Sequence, residues 1–260
     1  MQLTPEQIDG FHQRGYVLVA ELFNSDEIRL LSQYARADRA IQSAATTRAD
    51  AQGGSTTLSL SNDLQDDLYS LVVRSQRVAG SMAALLGDEV YHYHHKMMLK
   101  EPLIGGAWEW HQDYGYWYDF GCLYPDMASC FIAVDRANRE NGCLQVLEGS
   151  HHLGRMNHMK VGGQTGADPE RVEAAMERLS LVHVEMNPGD GLFFHGNLLH
   201  RSDQNTSTNP RWSLICCYNT KHNDPYKESR HPNYAPLQEA NDDDFLAQAQ
   251  AHVNRLTATE

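Results

Sequence analysis

No apolar run in this chain approaches the length of a membrane span, so a transmembrane helix is excluded. Positive charge is also scarce. The 21 Lys and Arg stand against 34 Asp and Glu, a formal charge of −13, so neither nucleic acid nor an anionic membrane surface is an expected partner. A basic pocket inside an acidic protein stays compatible with that balance. Cysteine is sparse and odd in number. Cys122, Cys130, Cys143, Cys216 and Cys217 form no paired framework, which excludes a disulfide scaffold and reads as reduced thiols. The opening Met-Gln-Leu-Thr-Pro-Glu lacks a basic and then apolar leader pattern, so a cytoplasmic location is expected. What remains is globular in character: 260 residues, 41% hydrophobic and 21% charged, enough for a real core.

Thr4-Pro5-Glu6-Gln7 predicts a capped helix start, Gly15 its end, and Tyr16–Val19 a short strand. Ser25 is expected to cap a second helix running to about Ala40, and Leu68–Leu86 reads as a third that stops at Gly87. Gln42–Ser61 is rich in Ser, Thr, Ala and Gly without periodicity, and is expected to be a surface loop or lid. Strands begin at Val90. Val90–Leu99 alternates, which places His92, His94, Lys96 and Met98 on one face and Tyr91, Tyr93 and His95 on the other. Met127–Val134, Cys143–Leu147, Val182–Glu185, Gly191–Phe194 and Ser213–Tyr218 are further strands, with one helix from Asp168 to Leu179 inserted and a helical tail after Asn241. Helices followed by many short strands predict a single domain, mainly β with flanking helices around a jelly-roll core. Its helical part is 1–88, its core about 90–220 and its tail 221–260.

The chemistry concentrates at His111-Gln112-Asp113 and, far downstream, His200 and Arg211. Two imidazoles and a carboxylate on one face of an octahedral ion leave the opposite face open, which suits ferrous iron that must take a co-substrate and oxygen together. On a strand, the two-residue spacing of His111 and Asp113 points both at one metal. Glu109, two before His111, competes as the acid. Arg211 is the natural fork for a distal carboxylate, and Ser202 or Ser213 can add a hydroxyl to the same group.

His111-Gln112-Asp113, the run Asn141–His151, the stretch Gly189–His195 and the pattern His200-x-Ser202…Asn205…Arg211 together resemble the phytanoyl-CoA dioxygenase-like family. The resemblance covers nearly the whole chain, including the opening helix followed by Gly15-Tyr16-Val17. It implies a double-stranded β-helix, Fe(II), 2-oxoglutarate and O2. It places His111, Asp113 and His200 on the metal, and Arg211 with Ser202 on the far carboxylate of 2-oxoglutarate. Phe131 and Lys96 are implied as further co-substrate contacts. Halogenating relatives carry a small residue in place of the acid, so Asp113 implies hydroxylation.

The aromatic segment Trp108–Phe120 straddles the implied ligands. Trp110, Tyr114, Trp117 and Tyr118 are candidate walls for a small polar substrate, with His94, Asn197 and Arg201 as candidates to meet an anionic group. The expected activity is hydroxylation of a small polar molecule. Trp110–Tyr118 and Gly196–His200 resemble bacterial members assigned to organophosphonate oxidation, which narrows the expectation to an organophosphonate. An amino acid or secondary metabolite is the alternative substrate. The rival classes are a zinc hydrolase on the same ligands, which would not need Arg211, and a non-catalytic jelly-roll binding module.

Overall fold

A computed structural model describes residues 2–51 and 53–258, so Met1, Gln52, Thr259 and Glu260 lie outside the described residues. Two antiparallel sheets face each other. The larger runs β1 (Tyr16–Val19), β11 (Gly191–His195), β6 (Met127–Ala133), β13 (Arg211–Thr220), β4 (Val90–Lys100), β3 (Ser55–Ser61) and β2 (Thr46–Ala49). The smaller runs β10 (Leu181–Val184), β7 (Leu144–Leu147), β12 (His200–Ser202) and β5 (Trp108–His111). This is the predicted double-stranded β-helix. A separate hairpin joins β8 (His158–Val161) to β9 (Gln164–Ala167).

Both sheets supply the inner core, with Phe131, Leu192 and Ile215 from one side and Leu144, Val146 and Val184 from the other. The outer face of the larger sheet is covered by helices α1 (Pro5–Arg14), α2 (Ser25–Ala37), α4 (Leu68–Arg74), α5 (Gln76–Leu86) and α8 (Phe245–Ala258). A smaller third core forms where α7 (Pro169–Met176) covers Trp110, Leu147 and Leu199. Apolar surface removed from water drives this layering, at roughly 25 cal/mol per Å². No helix among the described residues is long and apolar enough to cross a membrane.

Local rules explain most element ends. Thr4 and Gln7 form the expected capping box, and Gly15 closes α1 at φ 85°, where an added Cβ would strike the His151 ring. Elsewhere the sequence reading needs correction. Asn24, not Ser25, caps α2, and Asp38 breaks the chain before a short α3 (Arg39–Ala44). Leu68–Leu86 divides at Ser75, whose hydroxyl bonds the Val72 carbonyl. Gln42–Ser61 is not a loop. Most of it is α3's end and the β2–β3 hairpin, which extends the larger sheet against β4. Burial alternates in β3 at Thr56 and Leu58 and lapses at Leu60, which is 41% exposed, while small polar residues occupy the positions between.

A bulge in β4 matters most for the site. The β13 partners jump from Cys217↔His94 to Tyr218↔His92, leaving Tyr93 unpaired. The extra residue inverts the alternation. Tyr91 and Tyr93 therefore face the inner core, while His94, Lys96 and Met98 line the cavity on that same side. His92 turns outward and bonds the His95 ring at 3.0 Å, so it does not share the face of His94 as alternation predicts.

Candidate active site

His111 ends β5, and its partner across the smaller sheet is His200, which opens β12. Their ring centroids lie 4.1 Å apart. Each Nδ1 contacts a backbone carbonyl two residues earlier, that of Glu109 at 2.7 Å and of Leu198 at 2.9 Å. A carbonyl only accepts, so Nδ1 must carry the proton and Nε2 keeps its lone pair. Burial, then the neighbouring His200, holds His111 well below the usual imidazole pKa, and burial lowers His200. Both rings are neutral and basic at Nε2 near pH 7.

Asp113 reaches them by a different route from the one its spacing suggests. The strand stops at His111, Gln112 is extended at φ −115°, and Asp113 is the first residue of α6 (Asp113–Trp117). The helical turn still brings one carboxylate oxygen to 3.9 Å from His111 Nε2. The other accepts a 2.9 Å hydrogen bond from Ser129. One donor atom from each of His111, Asp113 and His200 lies within 4.8 Å of the other two, and all three residues are buried. Two neutral imidazoles and a carboxylate are the hard and borderline donors that a ferrous ion takes.

Gln112 holds this turn in place. Its side-chain amide donates to the carbonyls of Gly154 and Asn197, both at 2.8 Å, and accepts from the Met156 amide at 2.7 Å. Its own amide donates to His158 Nε2, and Gly115 leaves room for that ring where a Cβ would collide. Gln112→Ala should strand three backbone groups, costing about 3 kcal/mol at on the order of 1 kcal/mol each. Thermal unfolding checks this: a drop of several degrees is expected, and an unchanged melting temperature contradicts the role.

The triad opens into one cavity with Arg211 on its wall. Arg211 is 2% exposed, and its Nε has no hydrogen-bond partner among the described residues. Its guanidinium lies 5.5 Å from the Phe131 ring centre, and burial pulls its pKa down to about 10, so it stays charged at neutral pH. Lys100, the residue opposite Arg211 on β4, is fully buried. It donates to Ser202 Oγ at 2.9 Å and to the Asp203 carbonyl. Burial and then Arg211's charge push the Lys100 pKa well down. With its oxygen taken by Lys100, the Ser202 hydroxyl proton is free to point into the cavity. Sequence reading passed over Lys100, although it continues the inward face of Lys96 and Met98. A buried fork without a carboxylate is half of an ion pair.

Lys96, Phe131, His94, Trp117, Ser202 and Arg201 all reach this cavity. Lys96 lies 3.9 Å from the Asp113 carboxylate, beside the triad rather than beside Arg211, and Arg201 is paired with Asp203. Four predicted substrate contacts do not reach it. Trp110 points to the opposite face of β5 and packs in the third core. Tyr114 is in the inner core with its hydroxyl on the Cys122 carbonyl at 3.1 Å. Tyr118 is 41% exposed under Arg155, and Asn197 is buried with its carbonyl bound by Gln112. Glu109 stays out of the triad. Ser213 shares the inward face of Arg211 and Ile215 but is fully buried between them, its hydroxyl without a hydrogen-bond partner among the described residues, and does not line the cavity. Trp108, Tyr116, Phe120, Arg48, Arg230 and His231 line the cavity without having been singled out as site residues.

The sequence model described as phytanoyl-CoA dioxygenase matches residues 11–213. An L-proline trans-4-hydroxylase of Streptomyces griseoviridis is 30% identical over 183 residues, covering 64% of this chain and 68% of that protein. A methylphosphonate hydroxylase of Gimesia maris is 28% identical over 225 residues, covering 84% and 81%. The crystal structure of EctD from S. alaskensis with 2-oxoglutarate and 5-hydroxyectoine superposes with a TM-score of 0.77 at 23% identity, covering 92% of this chain and 88% of that one.

Proposed function

From the premise that the chain belongs to the phytanoyl-CoA dioxygenase family, and is thus an Fe(II)- and 2-oxoglutarate-dependent dioxygenase, we propose the residue roles and the kind of substrate. His111, Asp113 and His200 hold the iron. Arg211 and Ser202 take the far carboxylate of 2-oxoglutarate, with Lys100 fixing Ser202 from behind and Phe131 walling the chain. When bound, iron supplies the oxidative chemistry that turns 2-oxoglutarate and oxygen into succinate, carbon dioxide and a hydroxylated substrate. The protein's own work is positional. Backbone carbonyls fix both imidazole tautomers, Ser129 occupies one oxygen of Asp113, and the aromatic walls keep water from the reacting face.

The observation that carries this reading is the buried, carboxylate-free Arg211 on the same cavity as the triad. A zinc hydrolase or a plain binding module leaves that guanidinium unexplained. The substrate is a small polar molecule. Similarity to a methylphosphonate hydroxylase favours an organophosphonate, and similarity to a proline hydroxylase favours an amino acid. The test is succinate release from 2-oxoglutarate under air. Ferrous iron should support it and zinc should not, whereas zinc-dependent hydrolysis without oxygen uptake would overturn the assignment.

A further inference from the structure

The segment after β13 returns to the cavity from beyond the span that the family model matches. Asn62, just past β3, clips it down: its side-chain amide donates to the Arg230 carbonyl at 2.8 Å, and its oxygen meets His231 Nδ1 at 2.9 Å. His231 stacks on Tyr93 at 4.6 Å and lies 5.1 Å from the ring of buried His94, whose Nδ1 has no hydrogen-bond partner among the described residues. Phe120 packs on His231 at 4.8 Å, and the Arg230 guanidinium rests 4.8 Å from the centre of the Phe120 ring. Arg230 lines the cavity and makes no ion pair with a carboxylate among the described residues. Burial, then the charges of Arg230 and Lys96, brings His231 down to a pKa of about 4, so both cations act on one wall.

The charge around this space is one-sided. Among the described residues, Arg48, Lys96, Arg201, Arg211 and Arg230 line it against Asp113 as the one acid, in a chain of net charge −13. Arg201 is spent on Asp203. Ferrous iron and the 2-oxoglutarate dianion cancel one another, so loading the site leaves the positive excess in place. The acidic exterior is screened beyond roughly 8 Å at physiological salt, and inside that range the local cations decide what binds.

We propose that the primary substrate is a small organic anion whose acidic group is held by Arg230, with Lys96 drawing it toward the metal and Phe120 and Trp117 flanking its carbon skeleton. This rests on the oxygenase reading and adds the substrate's charge and its anchor. Carboxylate and phosphonate share the needed chemistry, and the test separates them.

Protein loaded with Mn(II) and N-oxalylglycine, an unreactive 2-oxoglutarate analogue, would be titrated calorimetrically. The probes are small phosphonic, carboxylic and amino acids, methylphosphonate and L-proline among them, each beside the ester or amide that neutralises its acidic group. At least one acid should bind the wild type more than about tenfold tighter than its neutral counterpart, since hydrogen bonds to charged groups are the strong ones. Arg230→Gln should weaken that acid about tenfold, and Arg230→Lys should restore part of the loss. N-oxalylglycine binding should stay the same in every variant. If neutral partners bind as well as the acids, if no acid binds while N-oxalylglycine does, or if Arg230→Gln changes nothing, the proposal is overturned. If N-oxalylglycine itself does not bind, the oxygenase reading fails with it.

Discussion

His111→Ala and His200→Ala are each expected to abolish iron-dependent turnover of 2-oxoglutarate, by at least about a hundredfold. Losing a residue that merely orients a ligand typically costs tenfold to a hundredfold, and these side chains are proposed as ligands themselves. The geometry makes the pair inseparable. The two rings oppose each other across one strand pair, 4.1 Å apart, with both Nδ1 atoms anchored to backbone. One imidazole alone cannot form the face. Both residues are neutral and bonded only locally to the backbone, so removal should leave the secondary structure intact. Circular dichroism and succinate release check the two halves. A folded variant that retains substantial iron-dependent activity contradicts the ligand set.

Arg211→Ala is expected to raise the 2-oxoglutarate requirement about thirtyfold or more, the equivalent of roughly 2–3 kcal/mol for a charge-assisted forked contact. The requirement for the primary substrate should change little, because Arg211 sits on the Phe131 wall and the proposed substrate anchor comes from the segment after β13. Arg211→Lys should rescue only in part, since a point charge cannot reproduce the fork. Separate titrations of the two substrates decide it. An unchanged 2-oxoglutarate requirement in Arg211→Ala contradicts the role.

The double-stranded β-helix was readable from its many short strands. The grouping of His111, Asp113 and His200 with Arg211 was readable from the family resemblance of their motifs, not from alternation, since Asp113 lies on α6. The segment after His111 was not readable, for a reason of period. If it continued as a strand, alternate residues would share a face. It turns instead into α6, where Asp113, Tyr116 and Trp117 fall three and four apart and share the cavity side. Tyr114 and Tyr118, also four apart, share the other side and pack 6.0 Å from each other. Alternation would put Tyr114, Tyr116 and Tyr118 together on the face away from Asp113, whereas the helical period brings Tyr116 and not the other two to the cavity. On β5 a register shift between the His111↔His200 and Trp108↔Ser202 pairs puts Trp108 on the cavity and Trp110 on the opposite face, which alternation alone would not separate.

The inversion at Tyr93 lay equally out of reach, because a bulge leaves no mark in an alternating run. Lys100 could have been found by pairing Arg211 with the inward face of β4, but that needs the register, which only the folded sheet supplies. Arg230 and His231 sit in a segment without periodicity. What brings them to the cavity is Asn62, more than 160 residues earlier in the chain.

The most direct measurement of the central claim uses isotopic oxygen. Ferrous enzyme incubated with 2-oxoglutarate and an acid that binds it under ¹⁸O2 in ordinary water should release succinate carrying one labelled oxygen atom, with the second entering the hydroxylated acid. Metal-dependent product formation in which the new oxygen comes from water, with no labelled succinate, would contradict the account.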